Sequence, residues 1–567
     1  MNEKIDNKDK KEHWFWGSVR DSKAIYVQMF LASLFINFMG LMSVFYIMTV
    51  YDRVIPNSAY SSLIALTVGM GVVIIFDFII KMLRSFFVDV AGANLEKKVS
   101  NRLFKKISSH DHSFLSKRSG IIHTVREFEG IRDFFTSASM VAFIDLPFMF
   151  VFIGVIYMIA GPVAVVPLLI VPLVFLVAGI TQPLLKKYSK ENLQKQSNKM
   201  NSLAELVTNV ETVRTIAGGD DLRNKWNNTI EQQTKTSMSA RSVVNFAVTF
   251  AQSSLQVSQT AIVCYGVVLI GALEITSGAL VACVILSGRV LSPLVQAGTL
   301  LTRLNTALAA YKKVDDLMLA STRDEENESN LAIKIRSGEI NISNLSYMVD
   351  ENEIINNISF QINDGEKVGV IGNLGCGKTT LLRNLIGFYE ASRGDITIGG
   401  YDIKNIPASI LRKDVGYVPQ TIQLFSGTIY DNIVAGFDEA SEEEVIEACD
   451  LAGAHKFIGT LPGGYNYNII DNGGNLSGGQ RQSIALARCL LRKPKIMVLD
   501  EPTSSMDNSS EERIINNLFN LDYNPTIVIS THKLSYLLNV DKVALMVDGK
   551  LQNYDHPSNI IKVQNND

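Results

Sequence analysis

Three groups of residues have the types and spacing to act on a phosphate. "GNLGCGKTT" (Gly372 to Thr380) sets Gly372, Gly375 and Gly377 ahead of Lys378, Thr379 and Thr380. Glycines so spaced let a backbone close around β- and γ-phosphates; the lysine adds a cation, and the Thr379 hydroxyl can ligate Mg²⁺. "KIMVLDEP" ends an apolar run in two carboxylates, Asp500 and Glu501. Beside a phosphate loop, Asp500 suits the Mg²⁺ shell, and Glu501 suits the orientation and polarisation of an attacking water. "IVISTHKL" ends another apolar run near His532, a donor that could reach a γ-phosphate. A second glycine turn, "NLSGGQRQSIALAR" (Asn475 to Arg488), opens a helix but carries no lysine. Its N–H groups still suit an anion. One site has no evident need of two such turns.

These residues need strands that end together and helices that begin there. "EKVGVIG" reads as a strand running into the glycine loop, and "TTLLRNLIGFY" as the helix leaving it. Alternating strands and helices imply a mainly parallel sheet with ligands at its carboxyl edge. "EINISNLSY" alternates like a strand with one face on a core. Before it, "STRDEENESN" (321–330) is charged and lacks large apolar residues. It predicts a linker over 321–336, with a nucleotide-binding domain at 337–567.

The 567 residues are too many for one core, and the net charge of −3 leaves no basic excess for nucleic acid. Cysteines at 264, 283, 376, 449 and 489 show no paired spacing, so neither a disulfide framework nor a zinc knuckle is expected. A reducing cytosol suits the C-terminal half. Cys376, inside the phosphate loop, is either a thiol-sensitive position or a small residue at a permissive one. "HDHSF" (His110 to Phe114) reads as a solvated loop rather than a metal cluster.

Ahead of the linker, long uncharged runs dominate. They lie between Lys23 and Asp52, from Asn57 through Asp77 towards Leu83, from Leu146 to Leu185, from Ser242 to Leu273, and from Ile275 to Thr302 with Arg289 inside. The third suits two spans broken at "AGP" (Ala160 to Pro162), giving six spans in a membrane domain at 23–320 after a tail at 1–22. Segments 91–138 and 186–241 hold nine and ten Lys and Arg, against one in the short turns between spans. Those segments and both termini are therefore expected in the cytoplasm. Leu203, Leu206, Val210 and Val213 form an apolar stripe, which either docks on another domain or packs within the bundle. Asp77 and Lys81, four apart, can pair. Arg289 either lines a polar pathway or pairs with a neighbouring span. Trp14 and Trp16 in "HWFWG" read as an interfacial anchor.

Both halves together resemble an ABC exporter half-transporter: an α-helical six-span membrane domain fused to an α/β P-loop NTPase domain. "NLSGGQ" is the signature of that family. The resemblance implies a homodimer in which Ser477, Gly478 and Gly479 of one copy cap the γ-phosphate held by Lys378 of the other. It also implies that Gln420 of "YVPQ" contacts Mg²⁺ and senses the membrane domain, and that Asp507 of "SSMD" lies in the loop spanning the dimer interface. Tyr347 stands where an aromatic stacks on adenine, with a plain strand aromatic as the alternative. The regions near 126–132 and 208–215 correspond to coupling helices.

"FYIMTVYDRVIPN", "VREFEGIRDFFTSAS", "IDLPF" and "MDNSSEER" look like type I secretion ATPases of the LapB type, related to HlyB. The resemblance implies a bacterial inner-membrane exporter of a large unfolded adhesin or toxin with a C-terminal signal. Its implied partners are a periplasmic adaptor of the HlyD type and a TolC-like outer-membrane channel. Export of lipids or small amphiphiles is the alternative on the same scaffold, and a membrane-bound regulatory ATPase is a third reading. Relatives usually carry a peptidase-like domain ahead of "HWFWG"; only about a dozen residues precede it here, and no cysteine precedes Cys264. A cysteine-protease leader domain is therefore not expected. Asp471 and Asn472 replace the family's usual Glu-Arg, so coupling is expected to be tuned differently.

Overall fold

The computed structural model describes residues 13–110, 121–136, 138–215, 219–320, 333–349, 351–437, 439–533, 537 and 539–564. The linker motif at 321–330 and most of "HDHSF" lie outside the described residues. The main boundary between two compact units falls between Ala320 and Ser321.

The first unit is helical. Its long elements are Lys23–Thr49, Tyr60–Ser109, Phe148–Ala160, Val165–Thr208, Gly219–Gly271 and Ser277–Met318. Among the described residues, five stretches are long and apolar enough to cross a membrane, one of them Phe148–Thr208. That stretch is interrupted at the "AGP" position, where Gly161 takes φ +49 and a short turn, Gly161–Ala164, separates two helices. A helix of 50 residues such as Tyr60–Ser109 extends about 75 Å, well beyond a hydrocarbon core of about 30 Å. No residue of its most apolar window is buried, and Ile64, Val68, Phe78 and Met82 are each about two-thirds exposed. Apolar surface left outside a packed unit on this scale needs lipid as its solvent. The chain is a membrane protein.

Polar side chains on these helices find partners. Asp77 and Lys81 pair at 2.5 Å. Arg84 reaches Asp145 at 3.2 Å and Ser33 at 3.0 Å, and Asn37 donates to the same carboxylate at 3.2 Å. Arg289 lies against helix Lys23–Thr49: its Nη2 is 3.4 Å from Ser43 Oγ, and a Cβ on Gly40 would fall 2.1 Å from its Nη1. Arg289 thus contacts a neighbouring span. Ser258 and Ser287 share a buried 2.8 Å hydrogen bond between helices Gly219–Gly271 and Ser277–Met318.

Two sequence expectations change here. Trp14 is buried rather than interfacial: its Nε1 donates to Asp315 Oδ1 at 2.7 Å and its ring stacks on Tyr311, leaving only Trp16 exposed. Aromatic packing and a carboxylate acceptor inside the unit outcompete the bilayer interface for that ring. The stripe at 203–213 is also interrupted, because Asn209 (φ −107, ψ 28) ends helix Val165–Thr208 before the short helix Val210–Thr215. Leu203, Leu206 and Val210 are exposed and Val213 is half-buried.

Besides a two-stranded sheet of β7 (Gly427–Thr428) and β8 (Asn468–Ile469), the second unit holds two main sheets. One has strand order β12-β11-β3-β10-β9-β6, where β3 is Lys367–Gly372, β6 Val415–Val418, β9 Ile496–Asp500, β10 Thr526–Ser530, β11 Lys542–Val547 and β12 Lys550–Asp555. It is parallel except for the β11–β12 pair. The other is antiparallel, in the order β2-β1-β4-β5, from β1 (Ile340–Val349), β2 (Asn352–Ile362), β4 (Arg393–Ile398) and β5 (Tyr401–Asp402). Ile496, Met497, Val498 and Leu499 of β9 are all fully buried, as expected for a central parallel strand covered on both faces. Each such side chain contributes about 1.5–3 kcal/mol of burial, which fixes where the strand stops and its carboxylates begin.

Candidate nucleotide site

β3 ends at Gly372, and helix Lys378–Leu385 starts six residues later. The intervening loop needs glycine where the backbone turns left-handed. Gly377 has φ +99, and a Cβ there would press on Ile354 O at 3.0 Å; at Gly372 it would meet Met546 O at 2.2 Å. The loop folds back on its lysine: Lys378 Nζ donates to Gly372 O at 2.8 Å and to Asn373 O at 3.2 Å. Cys376 is buried with its Sγ 4.0 Å from that ammonium. Thr379 and Thr380 occupy the first turn of the helix, both half-buried.

β9 and β10 run in parallel register, pairing Asp500 with Ser530. Ser530 Oγ donates to Asp500 Oδ1 at 2.6 Å, while Asp500 Oδ2 is buried without a hydrogen-bond partner. Immediately after the strand, Glu501 takes φ +48, a costly conformation for a residue with a side chain. It aims the carboxylate between two polar groups: His532 Nε2 lies 2.8 Å from Oε1, and Gln420 Nε2 donates to Oε2 at 3.1 Å. Asp500, Glu501, Gln420 and His532, read from separate motifs, thus meet at the carboxyl edge of one sheet. A buried carboxylate oxygen left unpaired, with threonine and glutamine as further hard donors, fits a magnesium ion.

The other expected residues sit elsewhere. Tyr347 on β1 stacks on Tyr389, ring centres 5.0 Å apart and planes within 9°. Arg383 holds Tyr389 through its hydroxyl at 2.8 Å. Ser477 caps helix Gly478–Leu491: Gln480 N donates to its Oγ at 3.3 Å, and its own N–H donates to Gln480 Oε1 at 2.9 Å. Gly478 and Gly479 pack against Ser505, where added Cβ atoms would approach to 3.0 and 3.1 Å. Asp507 caps helix Asn508–Phe519, and hydrogen bonds from Ser509 and Ser510 hold its carboxyl far below the usual carboxylate range. Asn472 takes φ +58 in the turn before the signature. Among the described residues no hydrogen bond joins the two glycine turns, so each is built from its own neighbours.

Sequence reading missed three residues that hold this site. Ser530 is a hydroxyl that ends a strand after three apolar residues, Ile527, Val528 and Ile529. Gln482 is a buried glutamine, bonded through Nε2 to Glu501 O and Ser504 Oγ and through Oε1 to Ser505 N. Tyr389 closes the face of Tyr347. A polar residue ending an apolar run marked the first, and a glutamine beside "SIALA" the second; nothing local marked the third.

Residues 355–504 match the ABC transporter family, and residues 26–294 match the ABC transporter transmembrane region. The chain is an ABC transporter. It is 28% identical over 546 residues to the leukotoxin export ATP-binding protein LtxB of Aggregatibacter actinomycetemcomitans, covering 95% of this transporter and 76% of that protein. It is 29% identical over the same length, with the same coverage, to the alpha-hemolysin translocation ATP-binding protein HlyB of Escherichia coli. A bacterial Atm1-family ABC exporter solved with ATP bound shares the fold at a TM-score of 0.85, covering 96% of each chain at 20% identity. The transporter therefore joins a helical transmembrane region to an ATP-hydrolysing domain on one chain.

Proposed function

We propose that this transporter is the ATPase and permease of a type I secretion system in a bacterial inner membrane, exporting a large unfolded protein. The observation that carries the proposal is likeness to toxin-export ATPases along 95% of the chain and 76% of each relative, which includes the membrane unit. The membrane unit is read as six spans, with Phe148–Ala160 and Val165–Thr208 supplying one each and both termini cytoplasmic. Domains are assigned as 1–22 tail, 23–320 transmembrane, 321–336 linker and 337–567 nucleotide-binding. An adaptor of the HlyD type and a TolC-like channel are its expected partners, and the large cytoplasmic lysine and arginine content supports the orientation.

Two copies form the working unit. The loop of Gly372, Gly375, Gly377, Lys378 and Thr380 binds the phosphates of ATP, Tyr347 meets the adenine, and Ser477, Gly478, Gly479 and Asp507 of the second copy complete the site. Thr379, Gln420 and Asp500 hold Mg²⁺, which when bound neutralises charge on the β- and γ-phosphates. Glu501 accepts the proton of the attacking water, and His532, whose Nε2 lies 2.8 Å from that carboxylate, turns its N–H to the γ-phosphate when ATP is bound. Closing of the paired ATP-binding domains moves the membrane helices; hydrolysis releases them.

The test is the culture-medium proteome of cells carrying the wild-type chain or Glu501→Gln, with ATPase activity measured in parallel. The expected result is loss of ATPase and of one very large protein from the medium, with its accumulation inside. An unchanged medium despite lost ATPase would overturn protein export in favour of a lipid or small-amphiphile cargo.

A further inference from the structure

We infer that Ser530 is a positioning residue for the hydrolytic site, setting which oxygen of Asp500 is free for metal and holding Glu501 in its unusual backbone conformation. The inference rests on the assignment of Asp500 to the magnesium shell. Ser530 is fully buried at the end of β10, in direct parallel register with Asp500. Its hydroxyl has one proton, and that proton goes to Asp500 Oδ1 at 2.6 Å. Its oxygen accepts from Glu501 N–H at 3.0 Å. One side chain therefore connects both carboxylate residues and no other described hydrogen bond reaches either of those two atoms.

The consequences differ at the two ends. At Asp500, a hydrogen bond on Oδ1 fixes the plane of the carboxylate and leaves the buried Oδ2 as the open lone-pair site. A ligand held this way binds metal in one geometry, and removal of such a supporting partner lowers metal affinity by about 10–100-fold in comparable sites. At Glu501, the bond fastens the N–H of a residue at φ +48, a conformation that persists only where surrounding contacts dictate it. Relaxation of that residue swings its carboxylate away from His532 and Gln420. The neighbouring Thr531 and the apolar residues Ile527, Val528 and Ile529 of the strand make no bond to either carboxylate, so the function belongs to this hydroxyl.

The experiment uses the full chain in detergent in a Glu501→Gln background, where nucleotide is not turned over. Mn²⁺ binding in the presence of ATP is read by electron paramagnetic resonance, and ATP binding in EDTA is measured separately. Ser530→Ala is expected to weaken Mn²⁺ binding about tenfold or more with metal-free ATP binding unchanged, and Ser530→Thr, which keeps the hydroxyl, to restore it. Mn²⁺ binding within twofold of the parent in Ser530→Ala would overturn the inference, as would an equal loss of metal-free ATP binding, which marks collapse of the whole loop. If the parent itself binds no Mn²⁺ with ATP, the assignment of Asp500 to metal fails, and the inference fails with it. A normal parent beside an unaffected Ser530→Ala sinks the inference alone. Should Ser530→Thr not fold, Ser530→Cys, a weak donor of similar size, is expected to fall between Ala and Ser.

Discussion

Gln482 offers a sharp test of how the site is held, because it touches no phosphate-loop residue yet braces the backbone beside Glu501. Its amide makes three bonds, to Glu501 O at 3.3 Å, Ser504 Oγ at 3.1 Å and from Ser505 N at 3.0 Å. Gln482→Ala removes all three and leaves the Ser505 N–H to find a new partner, while the Glu501 carbonyl keeps the Ser504 N–H at 3.3 Å. At about 1 kcal/mol for each net bond, the local loss is about 3 kcal/mol, with orphaned groups adding to it. Ser530 still holds the Glu501 N–H, so only part of this reaches the reacting carboxylate. The expected outcome is a kcat for ATP hydrolysis lower by about 10–100-fold, where each tenfold corresponds to about 1.4 kcal/mol, with KM for ATP within about twofold. Gln482→Glu keeps the acceptor for Ser505 but loses both donors, and should fall between. Steady-state ATPase assays of purified protein, with melting curves alongside, measure this. A kcat within twofold of the parent at an unchanged melting temperature would refute the bracing role.

Contacts elsewhere in the chain give two further outcomes. Gly278 at the start of helix Ser277–Met318 lies under Asp52, whose carboxylate accepts from Gly278 N at 2.8 Å and Thr276 Oγ1 at 2.6 Å. A Cβ there would fall 2.5 Å from Met48 O, so Gly278→Ala should destabilise by about 1–3 kcal/mol and lower the melting temperature in detergent, and an unchanged melting curve would contradict the packing. Burial pushes the Cys449 thiol up to about 11 and Cys489 up to about 12. Both therefore stay protonated at pH 8, and maleimide should label them only after unfolding; mass-spectrometric detection of rapid native labelling at either would contradict that burial.

The positions of the glycine loop and the strand-end carboxylates were legible because these residues are tied to local sequence grammar. A glycine loop must follow a strand and open a helix, and β3, Gly377 and helix Lys378–Leu385 obey that order. Asp500 is found at a strand end because four fully buried apolar residues precede it. What stayed hidden depends on contacts between distant segments. The antiparallel sheet pairs β1 with β4 across β2, β3 and a helix in sequence, with irregular register along β1 that no alternation pattern announces. Ser530 gains its meaning only from lying beside Asp500, thirty residues away in sequence. Trp14 was misread for the same reason: a tryptophan before an apolar run looks interfacial until Asp315 and Tyr311 come in from the far end of the membrane unit. Arg289 likewise found its place only against Gly40 and Ser43.

The most direct measurement is a mixing experiment on the proposed ATP site shared between two copies. Lys378→Ala disables the phosphate loop and Ser477→Arg blocks the signature turn, so either variant alone should trap no nucleotide with vanadate. Co-expressed and purified as a mixed dimer through two affinity tags, the pair retains one site with both an intact loop and an intact signature, contributed by opposite chains. Recovery of trapping at about one nucleotide per mixed dimer is the predicted result, since one composite site of two survives. No recovery in a stable mixed dimer, or trapping by either variant alone, would contradict a site built from two copies.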